Sequence, residues 1–298
     1  MTNCYYFPER ILNSMKHNII LVAETGSDMP PALAQELGVA LVPMHVNMGD
    51  KTLDDGAFPP EDVCAWYDRT GKVPTTSGST PYDFEKVFTG LREDHPGKKM
   101  LHLAYSAVTT CSYHSALLAA GDSDDVKSVD TKHVSVGQCA VVAATAQWLN
   151  AHPEATLEEA AAASEAISRN TRMCFIPRNL DYLRAGGRCS NAAALAGNLL
   201  NLHPLIEVID GRLLAKKKYR GAMEKVIPAV IRDFLRKENL SREHIWLVRA
   251  PYFEDSLASI TEPTLKELGY TNVTWIPTGC VITCHGGPGA FGIVGSVQ

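Results

Sequence analysis

Residues 18–46, NIILVAETGSDMPPALAQELGVALVPMHV, pack an apolar run, a turn, a helix-length segment and a second apolar run into one short stretch. That pattern constrains the fold more than any other feature of the chain. Ile19–Ala23 is apolar at every position, as a strand covered on both faces must be. Asp28 suits an N-cap, Pro30 and Pro31 suit a first helical turn, and Gly38 suits a helix end. VALVPMHV reads as the next strand. Apolar strands alternating with helices predict an α/β fold with a largely parallel sheet. The pattern recurs as KMLHLAYS (strand), SYHSALLAAG (helix) and VKSVD (short strand). Two helices follow, VGQCAVVAATAQWLNAH and TLEEAAAASEAISRNTR, the second with Thr156 and Glu159 at capping-box spacing.

After about residue 172 the pattern changes to a strand, a helix, a glycine turn, a small-residue helix and a hairpin. The hairpin is LIEVI and RLLAKK joined by Asp210-Gly211, a strong two-residue turn signal. A helix, a strand, another helix and two final strands complete the chain. The expected architecture is two α/β domains. Residues 1–170 hold a mainly parallel sheet flanked by helices, with 1–17 as a possible extension, and 171–298 hold a mixed sheet and helices.

Composition excludes several classes of function. A net charge of −5 gives no support to nucleic-acid binding or to an anionic membrane surface. No segment approaches the roughly 20 apolar residues of a membrane span, and the N-terminus lacks the basic region and apolar run of a signal peptide. A cytoplasmic protein without stable membrane insertion is the expectation. The eight cysteines are scattered and form no CxxC pair, which predicts reduced, mostly buried thiols. Cys280, Cys284 and His285 lack the fourth ligand and second pair of a zinc site, so no metal is expected.

No P-loop, GxGxxG after the first strand, GxSxG or HExxH is present. Three hydroxyl-rich turns stand out instead: AETGSD (23–28), PTTSGSTP (74–81) and YSAVTTCSYHSA (105–116). In open α/β sheets ligands bind beyond the carboxyl ends of the strands, where hydroxyls and helix N-termini suit an anion. Singly, each reads more readily as a plain N-cap. Near the C-terminus, TCHGGPGAFG sets His285 before Gly286, Gly287 and Gly289. It reads as a loop shaped by glycine to present a histidine, or as a tight turn with an incidental one.

These stretches, with DDG, LDYLRAGGRCSNAAALAGNLLNLHPLI and KYRG, resemble the DegV family from about Ile19 to Gln298. That family includes the bacterial FakB fatty-acid-binding proteins. The resemblance implies a two-domain protein that buries one long-chain fatty acid and presents its carboxylate to a separate FakA-type fatty-acid kinase, with no cofactor of its own. Family-type positions for the carboxylate fall on Thr76 and Ser77, Thr110 and His285. Gly286, Gly287 and Gly289 would shape the loop, and Arg184, Arg188 and Arg220 would face the kinase or the incoming phosphate. Thr110 stands where a serine followed by Gly-Thr is usual, Gly78-Ser79 replaces the usual Gln-Pro, and Glu24-Thr25-Gly26-Ser27 replaces Asp-Ser-Thr. The small-residue run NAAALAGNLL reads as a close-packed helix or a wall of the lipid tunnel. An alternative from the residues alone is a small hydrolase or acyltransferase, with His285 as base and Thr76, Ser77 or Thr110 as nucleophile. Such an enzyme needs a group to orient the histidine, and no sequence-near candidate presents itself.

Overall fold

The structure is a computed structural model that describes residues 17–189 and 202–298. The run NAAALAGNLL lies outside the described residues. In chain order the first elements are β1 (Ile19–Glu24), α1 (Pro31–Leu37), β2 (Val39–Val42), β3 (His45–Met48), β4 (Lys51–Asp54), α2 (Glu61–Thr70), β5 (Thr75–Ser77) and α3 (Pro81–Asp94). They are followed by β6 (Lys99–Ala104), α4 (Ser112–Ala120), β7 (Val126–Asp130), α5 (Ser135–Ala151) and α6 (Leu157–Asn170). From there the chain runs through β8 (Thr171–Ile176), α7 (Leu180–Gly186), β9 (Leu202–Ile209), β10 (Arg212–Arg220) and α8 (Met223–Glu238). The last elements are β11 (Leu240–Arg249), α9 (Asp255–Glu267), β12 (Val273–Pro277), α10 (Cys280–Gly286) and β13 (Phe291–Val297).

The fold is α/β. The first sheet, in the order β2-β1-β6-β7, is parallel throughout. Every residue of β1 is buried, and its two faces alternate as the pleat requires. Ile20 and Val22 pack with Phe84, Phe88 and Ala116 of α3 and α4. Ile19, Leu21 and Ala23 face a core built with α5 and α6. That core continues to Met173, Ile206, Val208, Val248 and Val294 on one face of a second, six-stranded sheet. This sheet, β10-β9-β8-β13-β11-β12, is mixed: its ladders are antiparallel except β11 with β12. Helices α8 and α9 cover its other face around Ile227, Phe234, Leu257 and Leu265. Helix α5 therefore lies between two sheets, and its small, apolar circumference reflects burial on both sides.

VALVPMHV is not one strand. It divides at Pro43 into β2, in the parallel sheet, and β3, the centre of a separate antiparallel sheet β4-β3-β5. Proline brings no N–H to a ladder, and the following N–H, of Met44, donates to Thr25 Oγ1 at 3.0 Å. His45 ties the small sheet down, with Nδ1 2.9 Å from Asp54 Oδ1 and Nε2 2.9 Å from Asp83 Oδ2. The β9–β10 hairpin forms at Asp210 (φ 47°) and Gly211 (φ 78°), the positive pair a primed turn demands. Ser106 Oγ donates to Gly211 O at 2.8 Å, which brings this turn against the loop after β6. No helix among the described residues is long and apolar enough to cross a membrane.

Candidate functional site

His285 lies in the last turn of α10, a helix, and not in the loop that its neighbouring glycines predict. The turn begins after it: Gly287 (φ 74°) and Gly289 (φ 68°) carry the chain from α10 into β13. A Cβ at Gly287 would lie 2.9 Å from the Tyr182 ring, and one at Gly289 would lie 2.7 Å from Arg178 Cδ. These two glycines serve a tight exit against α7 and its flank. Gly286 ends the helix, where a Cβ would meet nothing closer than Ala290 at 3.7 Å.

The start of α10 is held by two carboxylates. Gly279 N–H donates to Asp28 Oδ1 at 2.6 Å, and the N–H groups of Cys280 and Val281 donate to Asp55 Oδ1 at 2.8 and 3.2 Å. Helix N-termini leave such donors orphaned, and here loops after β1 and β4 supply the acceptors. Ser135 Oγ donates to the other oxygen of Asp28. Burial raises the pKa of both acids. Asp28 is thus not the cap of α1, whose N-cap is Pro30. With φ 56° it turns its carboxylate toward α10 and α5 instead. Neither aspartate was legible as part of this site; Asp55 lies in the DDG motif, but nothing local says that it caps a distant helix.

At the other end of α10, His285 Nε2 is 2.7 Å from Thr76 Oγ1. Thr76 is the half-buried residue of the edge strand β5, between exposed Thr75 and Ser77. Thr110, in the loop before α4, has Oγ1 3.2 Å from Ser112 Oγ. Gly78 permits this loop to approach, since a Cβ there would lie 2.3 Å from Thr110 Oγ1. Thr76, Ser77, Thr110 and His285 line one cavity together with Thr109, Arg188 and an apolar wall of Met44, Tyr105, Leu213 and Val281. Its volume of about 50 Å³ suits a carboxylate head group. An acyl chain needs the scale of ordinary ligand pockets, about 300–1,000 Å³.

Burial first, and the nearby Arg188 charge second, pull the His285 pKa down to about 4. The ring is neutral at neutral pH. Its Nδ1 is buried with no hydrogen-bond partner among the described residues. A bare lone pair there costs less than an orphaned N–H, so we assign the proton to Nε2. Nε2–H then donates to Thr76 Oγ1, and the Thr76 hydroxyl proton is left to donate into the cavity. Burial also pushes the Cys280 thiol up to about 12, so it stays protonated.

The three arginines separate. Arg188 lines the cavity and donates Nη1–H to Gly186 O at 2.8 Å. It shares an outer groove of about 430 Å³ with Arg212. Arg184 sits on the exposed side of α7, 3.8 Å from Asp181. Arg220 is at the opposite end of β10 from Arg212, eight residues or roughly 25 Å along the strand.

The model of the DegV family, which describes its members as uncharacterised proteins, matches residues 18–297. A fatty acid-binding protein of Thermotoga maritima is 29% identical over 282 residues, covering 91% of this chain and 95% of that protein. A DegV domain-containing protein of Streptomyces coelicolor is 29% identical over 288 residues, with 94% and 99% covered. Among solved structures, a DegV family protein from Thermus thermophilus, described for its fatty acid binding, superposes with a TM-score of 0.84 at 28% identity. That match covers 94% of this chain and all of the other. The chain belongs to the DegV family.

Proposed function

We propose that this protein binds a long-chain fatty acid, with its carboxylate in the cavity between Thr76, Ser77, Thr110 and His285. The observation that carries this reading is the Thr76–His285 pair, 2.7 Å apart on the wall of a head-group-sized cavity, which with the proton assigned to Nε2 leaves the Thr76 hydroxyl to donate into it. A buried carboxylate must be hydrogen-bonded, or its desolvation cancels the gain from the tail. A tail of about sixteen carbons offers about 12 kcal/mol gross at roughly 0.8 kcal/mol per methylene, before binding costs. Relatives named for fatty-acid binding at 28–29% identity over nearly the whole chain support the same ligand.

The fuller role is that of a cytoplasmic, non-enzymatic subunit that presents the carboxylate to a FakA-type kinase for acyl-phosphate formation. The rival hydrolase or acyltransferase reading has less support. A base with pKa about 4 draws a hydroxyl proton poorly at neutral pH. Its Nδ1 has no orienting carboxylate among the described residues, and Asp28 and Asp55 are engaged with the amides of α10.

Protein purified from a bacterial host and extracted for mass spectrometry should release roughly one fatty acid per chain. Protein that is free of lipid and takes up no added fatty acid would overturn the reading. With purified kinase and ATP, acyl phosphate should form only when this protein is present.

A further inference from the structure

The His285 ring stands where a side chain of residue 186 would be. Gly186 is the buried last residue of α7, and a Cβ on it would lie 2.3 Å from His285 Nδ1, 3.2 Å from Cε1 and 3.3 Å from Cγ. Its backbone does not call for glycine. The left-handed residue at this helix end is Gly187, at φ 62°, whereas Gly186 lies within the helix, where alanine is the better former. The glycine is there for space.

The ring cannot yield to a side chain at that position without loss. On one edge Nδ1 faces Gly186; on the other, Nε2 is bonded to Thr76 Oγ1. Nδ1 makes no hydrogen bond among the described residues, and Gly186 O accepts the N–H of Arg188 Nη1 instead. We infer that Gly186 is a positioning residue for the carboxylate site: its bare Cα lets the imidazole stand with Nδ1 unprotonated, which keeps the proton on Nε2 and turns the Thr76 hydroxyl toward the ligand. The inference rests on reading the cavity as a carboxylate site. The same residue serves the site twice, admitting His285 through its missing side chain and anchoring Arg188 through its carbonyl.

The test is a cycle of Gly186→Ala, His285→Ala and the double variant, read two ways. Imidazole ¹⁵N spectra of the ligand-free protein should show His285 protonated at Nε2 in the wild type and displaced toward the other tautomer or a mixture in Gly186→Ala. Affinity for a long-chain fatty acid should fall about tenfold or more in Gly186→Ala. In the His285→Ala background the same change should cost less than about twofold, because neighbours coupled through one contact are not additive. Should Gly186→Ala alone fail to fold, the double variant should recover folding. Wild-type-like His285 spectra in Gly186→Ala, an equal affinity loss in both backgrounds, or a double variant that does not recover folding would each overturn the inference. A wild type that binds no fatty acid would instead remove the carboxylate reading, and the spectra would still decide whether Gly186 sets the tautomer.

Discussion

Asp55 and Cys280 are 225 residues apart in the chain, and the carboxylate of the first accepts the backbone N–H of the second at 2.8 Å. The same oxygen takes Val281 N–H at 3.2 Å, so one side chain fixes the origin of the helix that ends in His285. Asp55→Ala should lower the unfolding free energy by about 2–4 kcal/mol, because it leaves two buried donors unpaired. Asp55→Asn keeps an oxygen acceptor and sheds a buried charge, so it should cost less. Denaturant unfolding of the two variants checks the order; an Asp55→Ala protein as stable as wild type would show that the cap does not hold α10.

Removing the donors should weaken fatty-acid binding with the fold intact. Thr76→Ala and Thr110→Ala each delete one hydroxyl donor to the carboxylate, worth about 1.5–3 kcal/mol or roughly ten- to a hundredfold in affinity, and His285→Ala removes the group that turns the Thr76 hydroxyl toward it. His285→Ala should also free the Thr76 hydroxyl from its present partner, so the double variant with Thr76→Ala should lose less than the sum. Unchanged affinity in all three single variants would place the carboxylate elsewhere.

The pH dependence of stability follows from buried groups of opposite sign. Burial holds His285 and His133 down to about 4 from an ordinary 6.5. Unfolded histidine takes up its proton first as pH falls, so this contribution is present above pH 6.5 and is lost between there and about 4. Asp28 and Asp55 are raised by burial, and their contribution runs the other way, falling as pH rises above the ordinary carboxylate range. His285→Ala should therefore flatten the acid limb of a stability–pH curve. Titration of the His285 imidazole by NMR near pH 6.5 in the folded protein would contradict this.

The arginines should divide by position. Arg188→Ala should weaken fatty-acid binding, because Arg188 lines the cavity proposed for the head group. Arg220→Ala, at the far end of β10, should leave that affinity unchanged. If Arg220 meets the kinase, its loss should lower acyl-phosphate formation and make the remaining rate less sensitive to salt, since exposed charge steering is screened. Full phosphorylation by Arg220→Ala would return it to ordinary surface charge.

Local patterns carried much of this structure. The buried strand β1, the capping box at Thr156 and the Asp210-Gly211 turn follow from residues next to one another. The division at Pro43 was less legible, because proline marks a break without saying that the next strand joins another sheet. Among the candidate residues, Thr76 and His285 do meet across 209 residues. The reason for their meeting was not legible. The glycines beside His285 in sequence shape the turn that follows it, while the glycine that makes room for its ring is Gly186. Asp28 reads locally as a cap for the helix beside it, yet it serves α10. Contacts of that kind are set by how the sheets stack.

Helix α10 belongs in sequence to the C-terminal part of the chain, yet its first amides rest on Asp28 and Asp55 and its last turn rests on Thr76. Cut between α6 and β8, the two fragments would each carry half of the proposed binding site. The first would keep carboxylates with no amides to receive, and the second a histidine with no hydroxyl to hold. Neither fragment alone would retain ligand, and mixing them would restore binding only by restoring the joint between them. Ligand capture could then serve as a direct readout of fragment complementation.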